Sequence, residues 1–175
     1  MAANWTAFVA GAILEASQLN GVVDNFQDIA IFNETQASGT NGGTFTSGSY
    51  AKRTLNTTVV NNIAGCSIAS SVITLPAGSY NVFAVSPCFK VNNNKARLRD
   101  TTAGADLAIG ATMYTSSGDD VMVLSQIQAY FTLSVSSNIE LQHRCATTQA
   151  TNGYGVQSGF GDSEIYSQIT IVRVA

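Results

Sequence analysis

Between Val123 and Val135 the chain alternates almost without fault. Val123, Ile127, Ala129, Phe131, Leu133 and Val135 fall on one side of an extended chain, and Gln126, Gln128, Tyr130, Thr132 and Ser134 on the other. Successive side chains of a strand point to opposite faces, so this run predicts a strand with one face on a core. Its other face is polar yet uncharged. Ile139 to Ala146 repeats the pattern, with Ile139, Leu141, His143 and Cys145 on one face and Glu140, Gln142 and Arg144 on the other. The closing run from Ile165 to Val174 is different. Ile165, Ile169 and Ile171 share one face, Tyr166, Val172 and Val174 the other, and neither is clearly wet. A strand with two apolar faces is covered on both sides. One face meets the domain's own core; the second is expected to meet another subunit, which makes Tyr130, Tyr166, Val172 and Val174 contact candidates.

The rest of the chain reads as short strands between turns. Ile29 to Phe32 opens the series, and Ala37 to Thr44 is a loop of turn formers. Phe45 to Leu55 carries more strand, interrupted at Ser47-Gly-Ser49, and Val72 to Leu75 resumes it. Pro76-Ala-Gly78 turns into Ser79–Phe89, where Tyr80, Val82 and Ala84 oppose Phe83, Val85 and Phe89. Asn92-Asn-Asn94 is predicted as a turn, followed by strands over Lys95–Thr101 and Leu107–Thr115. About ten strands with no helix between them predict an all-β fold, an antiparallel two-sheet sandwich or jelly roll. Residues 1–26 stand apart: Ile13, Ala16, Leu19, Val23 and Phe26 follow helical spacing, so a short helix is expected from about Leu14, limited by Gly21. A segment so short cannot fold alone and must lie on something else. The division expected is therefore a partly helical arm, residues 1–27, and a β domain, residues 28–175.

Composition narrows the function. Charged residues are 11% of the 175, where about a quarter is usual, and Ser, Thr, Asn and Gly take their place. Such a surface repels neighbours poorly, which suits packing against copies of itself or a larger particle. A net charge of −3 argues against general nucleic-acid binding. Cys66, Cys88 and Cys145 show no C-x-x-C spacing and are expected as buried free thiols. No basic residue precedes the short apolar stretch near Met1, and Glu15 interrupts it, so neither a signal peptide nor a membrane span is expected. The sequons at Asn4, Asn33 and Asn56 matter only in a eukaryotic secretory pathway, which nothing supports.

Candidate chemistry is thin. His143 is the only histidine, which excludes a multi-histidine metal site within one chain. It shares a strand face with Cys145, but no orienting acid or G-x-S-x-G turn accompanies them, so no catalytic residue, cofactor or metal site is assigned. Gly39 to Thr44 resembles a phosphate loop in glycine content alone. Asp119-Asp120 reads as a turn terminator rather than a calcium site. Lys95, Arg97 and Arg99 form a basic stripe in an acidic protein, suited either to an anionic glycan or capsid surface, or to pairing with Asp100, Asp106 or Glu140. Tyr154 and Phe160, in the Gly-rich loop from Ala150 to Asp162, are candidates for stacking against carbohydrate or for packing that loop.

Two stretches carry a resemblance. Trp5, Ala10-Gly11, Leu14-Glu-Ala16, Leu19-Asn20 and Asp24-Asn-Phe26 resemble an N-terminal signature of tailed-bacteriophage structural proteins. Ser38 to Ser49, Arg53-Thr-Leu-Asn56, Leu75 to Tyr80, Ala96-Arg-Leu98, Gln142-His-Arg-Cys145 and Gly153-Tyr-Gly155 resemble the trimeric jelly rolls of the tumour-necrosis-factor-like and complement-type superfamily. The resemblance implies a homotrimer with the last strand near the threefold axis. It further implies a non-enzymatic virion protein: a capsid decoration or cement protein docked on the major capsid protein through Trp5, Leu14, Leu19 and Phe26. The alternative is the receptor-binding knob of a tail fibre, attached to a tail or baseplate protein and reading host surface glycan through Lys95, Arg97, Arg99, Tyr154 or Phe160. No collagen-like or coiled-coil stalk precedes the β domain.

Overall fold

The computed structural model describes residues 28–174. The helix expected from about Leu14 and the docking candidates Trp5, Leu14, Leu19 and Phe26 lie outside the described residues. The strands are β1 (Ile29–Gln36), β2 (Ala51–Lys52), β3 (Thr57–Asn61), β4 (Ser67–Ala69), β5 (Val72–Leu75), β6 (Gly78–Phe89), β7 (Asn92–Asp100), β8 (Ala105–Ile109), β9 (Met113–Thr115), β10 (Met122–Leu133), β11 (Ser137–Cys145) and β12 (Glu164–Arg173). Among the described residues there is no helix.

They form two antiparallel sheets. The first has the order β10-β6-β12-β1-β3 and the second β4-β5-β11-β7-β8, with β2 also pairing β11 and β9 pairing β7. Residues of the alternating runs meet between them. Phe32, Tyr80, Val82, Ile127, Phe131, Leu133, Ile169 and Ile171 of the first sheet pack on Ile73, Leu75, Ala96, Leu98, Ile139 and Leu141 of the second. Truncating any large member of this layer to Ala costs about 2–5 kcal/mol, because close-packed neighbours cannot collapse into the space.

Three local features depart from the pattern, each for a physical reason. The asparagine run is not a turn but the start of β7; the reversal is made from Lys90 to the first of the run, Asn92, and these two take left-handed φ values of 55° and 59°. Within Phe45–Leu55 only β2 is strand, and Phe45 makes an isolated bridge to Gln149. The third is in β12. Asn33 pairs with Gln168 but Thr35 pairs with Ile165, so β12 spends three residues where β1 spends two. This bulge turns both Tyr166 and Ser167 inward and sends Ile165 outward. The expected sharing of one face by Tyr166, Val172 and Val174 is therefore corrected: alternation holds from Ser167 on and is out of step before it.

Candidate functional site

Among the described residues, the two outer faces of the sandwich differ most in chemistry. On the outside of the first sheet, cross-strand neighbours form rows. Tyr130, Asn81, Val172 and Ile29 make one, Gln128, Phe83, Thr170 and Ile31 the next, and Gln126, Val85, Gln168 and Asn33 a third. None is charged. Tyr130 is 64% exposed and Phe83 48%, and Val172, Val174 and Leu124 are also open to solvent. A broad surface of apolar side chains set among amides and hydroxyls is the composition of the core of a protein interface, where charge is depleted and aromatics enriched. Tyr130, Val172 and Val174 lie exposed on the outside of this sheet. Tyr166 does not: it is 5% exposed, and its hydroxyl donates to the Thr40 carbonyl at 2.7 Å within its own chain. Burial pushes that phenol up to about 12.

The outside of the second sheet is the opposite. Lys52, Lys95, Arg97, Arg99 and Arg144, five of the eight Lys and Arg residues, lie there. Asp106 is shared by Arg97 at 3.1 Å and Arg99 at 2.9 Å, and Glu140 lies 3.7 Å from Lys52. Arg97 also donates to Gln142, which donates to Glu140. The stripe of Lys95, Arg97 and Arg99 is therefore divided: the two arginines are engaged with Asp106, whereas the Lys95 side chain makes no ion pair or hydrogen bond among the described residues. Asp100 takes no part, because its buried carboxylate accepts from the Thr102 and Ala103 amides and holds the turn to Gly104, whose φ is +68°.

A charged centre absent from the sequence reading lies between the sheets. Arg53, anchored to β11 by its backbone, donates Nε and a terminal nitrogen to Glu34 of β1 at 2.9 and 2.6 Å, and its other terminal nitrogen to the Pro87 carbonyl of β6 at 3.2 Å. Both side chains are fully buried. The one available signal was a lone Glu34 in an apolar strand, since Arg53 follows Lys52 directly and reads as part of a solvated basic pair. Tyr154 belongs to this centre. Its ring stacks on Phe45 at 4.3 Å and under the Arg53 guanidinium at 4.0 Å, so it anchors its loop and offers no open platform. Phe160, 87% exposed, is the aromatic that the loop presents to solvent. Glu164 pins the same loop: its carboxylate accepts from the Ser158, Gly159 and Gly39 amides and the Ser158 hydroxyl, which holds its pKa down at about 2. Gly155 has to be glycine here, because a Cβ would collide with the Tyr166 ring.

The histidine and thiols are arranged for packing. Asn94 donates its amide to the Asn92 and Met113 carbonyls, which leaves its oxygen to accept from His143 Nε2 at 3.1 Å. His143 Nδ1 is buried without a partner. Burial, with the Arg53 charge beside it, keeps the imidazole pKa well below the usual histidine value. Burial pushes Cys88 up to about 12 and Cys145 to about 11, so both are protonated thiols at neutral pH and poor nucleophiles. Among the described residues no group of three His, Cys, Asp or Glu side chains comes together as a metal site, and no helix is long and apolar enough to cross a membrane.

No protein-family model matches the chain, and no curated protein matches it in sequence. Solved structures do. The globular domain of zebrafish complement 1qA protein superposes with a TM-score of 0.55 at 11% identity, covering 85% of this chain and 98% of that one. A PRD1 vertex protein gives 0.53 at 13% identity, over 85% and 98% of the two chains. Murine APRIL at pH 8.5 gives 0.52 at 9%, over 83% and 98%. At such identities the likeness is one of architecture: residues 28–174 form an antiparallel jelly roll of the tumour-necrosis-factor and complement type.

Proposed function

We propose that this chain is a non-enzymatic structural protein of a bacteriophage particle, a homotrimeric decoration protein of the capsid. The outer face of the first sheet forms the trimer contact, and residues 1–27 fix it to the major capsid protein. One observation carries the reading: a wide, uncharged, aromatic-bearing face centred on β12, left open in the single chain. The likeness to a PRD1 vertex protein supports a place on a virus particle, as does the resemblance of residues 1–26 to phage structural proteins. Closed symmetry lets three weak attachments act together, so each arm needs only modest affinity. The receptor-binding alternative draws support from the cationic outer face of the second sheet.

Sedimentation equilibrium of residues 28–175 is expected to give a trimer. Deleting residues 1–27 should leave that trimer folded and unable to bind shells. The copy number per particle separates the two readings: hundreds match decoration, and a few tens or fewer move the protein to the tail. A monomer at micromolar concentration overturns the trimer.

A further inference from the structure

Lys95 and Arg144 are direct cross-strand partners in the β7–β11 ladder, and their side chains leave the same outer face. Like charges placed opposite each other repel. Every other cation on this face has an answer: Arg97 and Arg99 have Asp106, and Lys52 has Glu140. The side chains of Lys95 and Arg144 have neither an ion pair nor a hydrogen bond among the described residues, in a chain whose net charge is −3. The two cations border an open concavity of about 390 Å³, whose wall also includes Ser47, Tyr50, Asn93 and Thr112. That volume lies within the roughly 300–1,000 Å³ of small-molecule sites. Tyr50 is held in place by the Arg97 guanidinium, 3.8 Å from its ring centroid.

From this geometry we infer that the concavity bordered by Lys95, Arg144 and Tyr50 binds an acidic saccharide, a sugar carrying a carboxylate or a sulfate. The negative group sits between Lys95 and Arg144 and turns their repulsion into two charge-assisted contacts. The neutral hydroxyl and amide groups of Ser47, Asn93 and Thr112 match ring hydroxyls, and the fixed Tyr50 ring gives an apolar patch for a sugar face. A peptide carboxylate would satisfy the cations but leave most of these neutral groups unused. The inference deepens the receptor-binding alternative and does not depend on where in the particle the chain sits.

Titration calorimetry on the full chain at low salt tests it, with digalacturonate and glucose 6-sulfate as probes, and with galactose, inorganic sulfate and a tetraglutamate peptide beside them. Binding is expected for the two acidic sugars and to weaken about tenfold or more in Lys95→Gln and in Arg144→Gln, as loss of one charge-assisted contact predicts. Lys90→Gln, whose ammonium pairs with Asp120 away from the concavity, should bind as the parent does. Arg144→Gln should also melt no lower than the parent without ligand, since it relieves a repulsion; a residue needed only for the fold would lower the melting point. No heat with either acidic sugar, equal binding of galactose, sulfate bound as tightly as the sugars, or tetraglutamate bound more tightly would each overturn the assignment.

Discussion

Outside the first sheet, Tyr130, Phe83, Val172 and Ile31 stand among glutamines, asparagines and threonines. Outside the second, the five cations Lys52, Lys95, Arg97, Arg99 and Arg144 share two carboxylates, Asp106 and Glu140, which engage Arg97, Arg99 and Lys52. Both faces belong to the same sandwich and rest on the same core. The difference teaches how a chain with 11% charged residues uses them. Charge is tolerated where water remains and is costly on a face that another surface covers, as the proposed trimer contact requires, because a buried unpaired charge loses its hydration without compensation. Low overall charge is thus not spread evenly: one face is emptied of charge and the other collects most of the cations.

The largest effect is expected from the centre that both faces share. Arg53→Met leaves Glu34 buried and unpaired and should destabilise the domain by about 3–5 kcal/mol in denaturant unfolding, weakening whatever either face binds. Adding Glu34→Leu should recover most of that loss. Next comes a direct exchange between the faces. Phe83→Glu should weaken self-association at least about 100-fold, about 2.8 kcal/mol, by sedimentation equilibrium, while the fold survives. Ile109→Glu, equally exposed but on the second sheet, should leave association unchanged; parity between the two variants would erase the distinction.

Acid should act first on the core, through His143, and then on the loop that Glu164 pins. His143 has a folded pKa below its unfolded value, so the unfolded chain takes the proton first and stability declines as pH falls below about 6.5. Glu164 has a folded pKa of about 2 against an ordinary 4.5; the stability it lends is full above the ordinary value and is lost as pH falls from there toward 2. Thermal melts across that range should show Glu164→Gln removing the lower stage alone. The smallest effect belongs to the cationic face. Asp106→Asn should cost at most about 1 kcal/mol and shrink further at high salt, because its partners are partly solvated.

Alternation was legible where the ladder is regular. β10 and β11 present the residues expected of them except Val135, which lies past the end of β10 and is 60% exposed, because an unbroken period of two leaves only one register that buries Ile127, Phe131, Ile139 and Leu141. It failed at β12, where the bulge inserts one residue and moves Tyr166 from the expected contact face into the domain. Periodicity cannot show such a slip, since it depends on what the neighbouring strand does at Glu34. The division of the basic stripe was equally hidden: Lys95, Arg97 and Arg99 are equivalent along the sequence, and only the pairing of β7 with β8 and β11 tells which of them Asp106 engages and which faces Arg144. For Tyr154 the sequence leaves a stacking platform and a packing anchor equally open, because the neighbours that decide for the anchor, Phe45 and Arg53, lie about a hundred positions away.

Where the β domain starts has a mechanical consequence. The Arg173 amide donates to the Asp28 carbonyl, and β1 runs on from there with β12 on one side and β3 on the other. A tether pulling at residue 28 along the strand would load both ladders in shear, with many bonds lying across the pull and sharing it rather than opening one after another. Force entering at residue 28 along β1 would then meet the domain in the direction in which its ladders resist together.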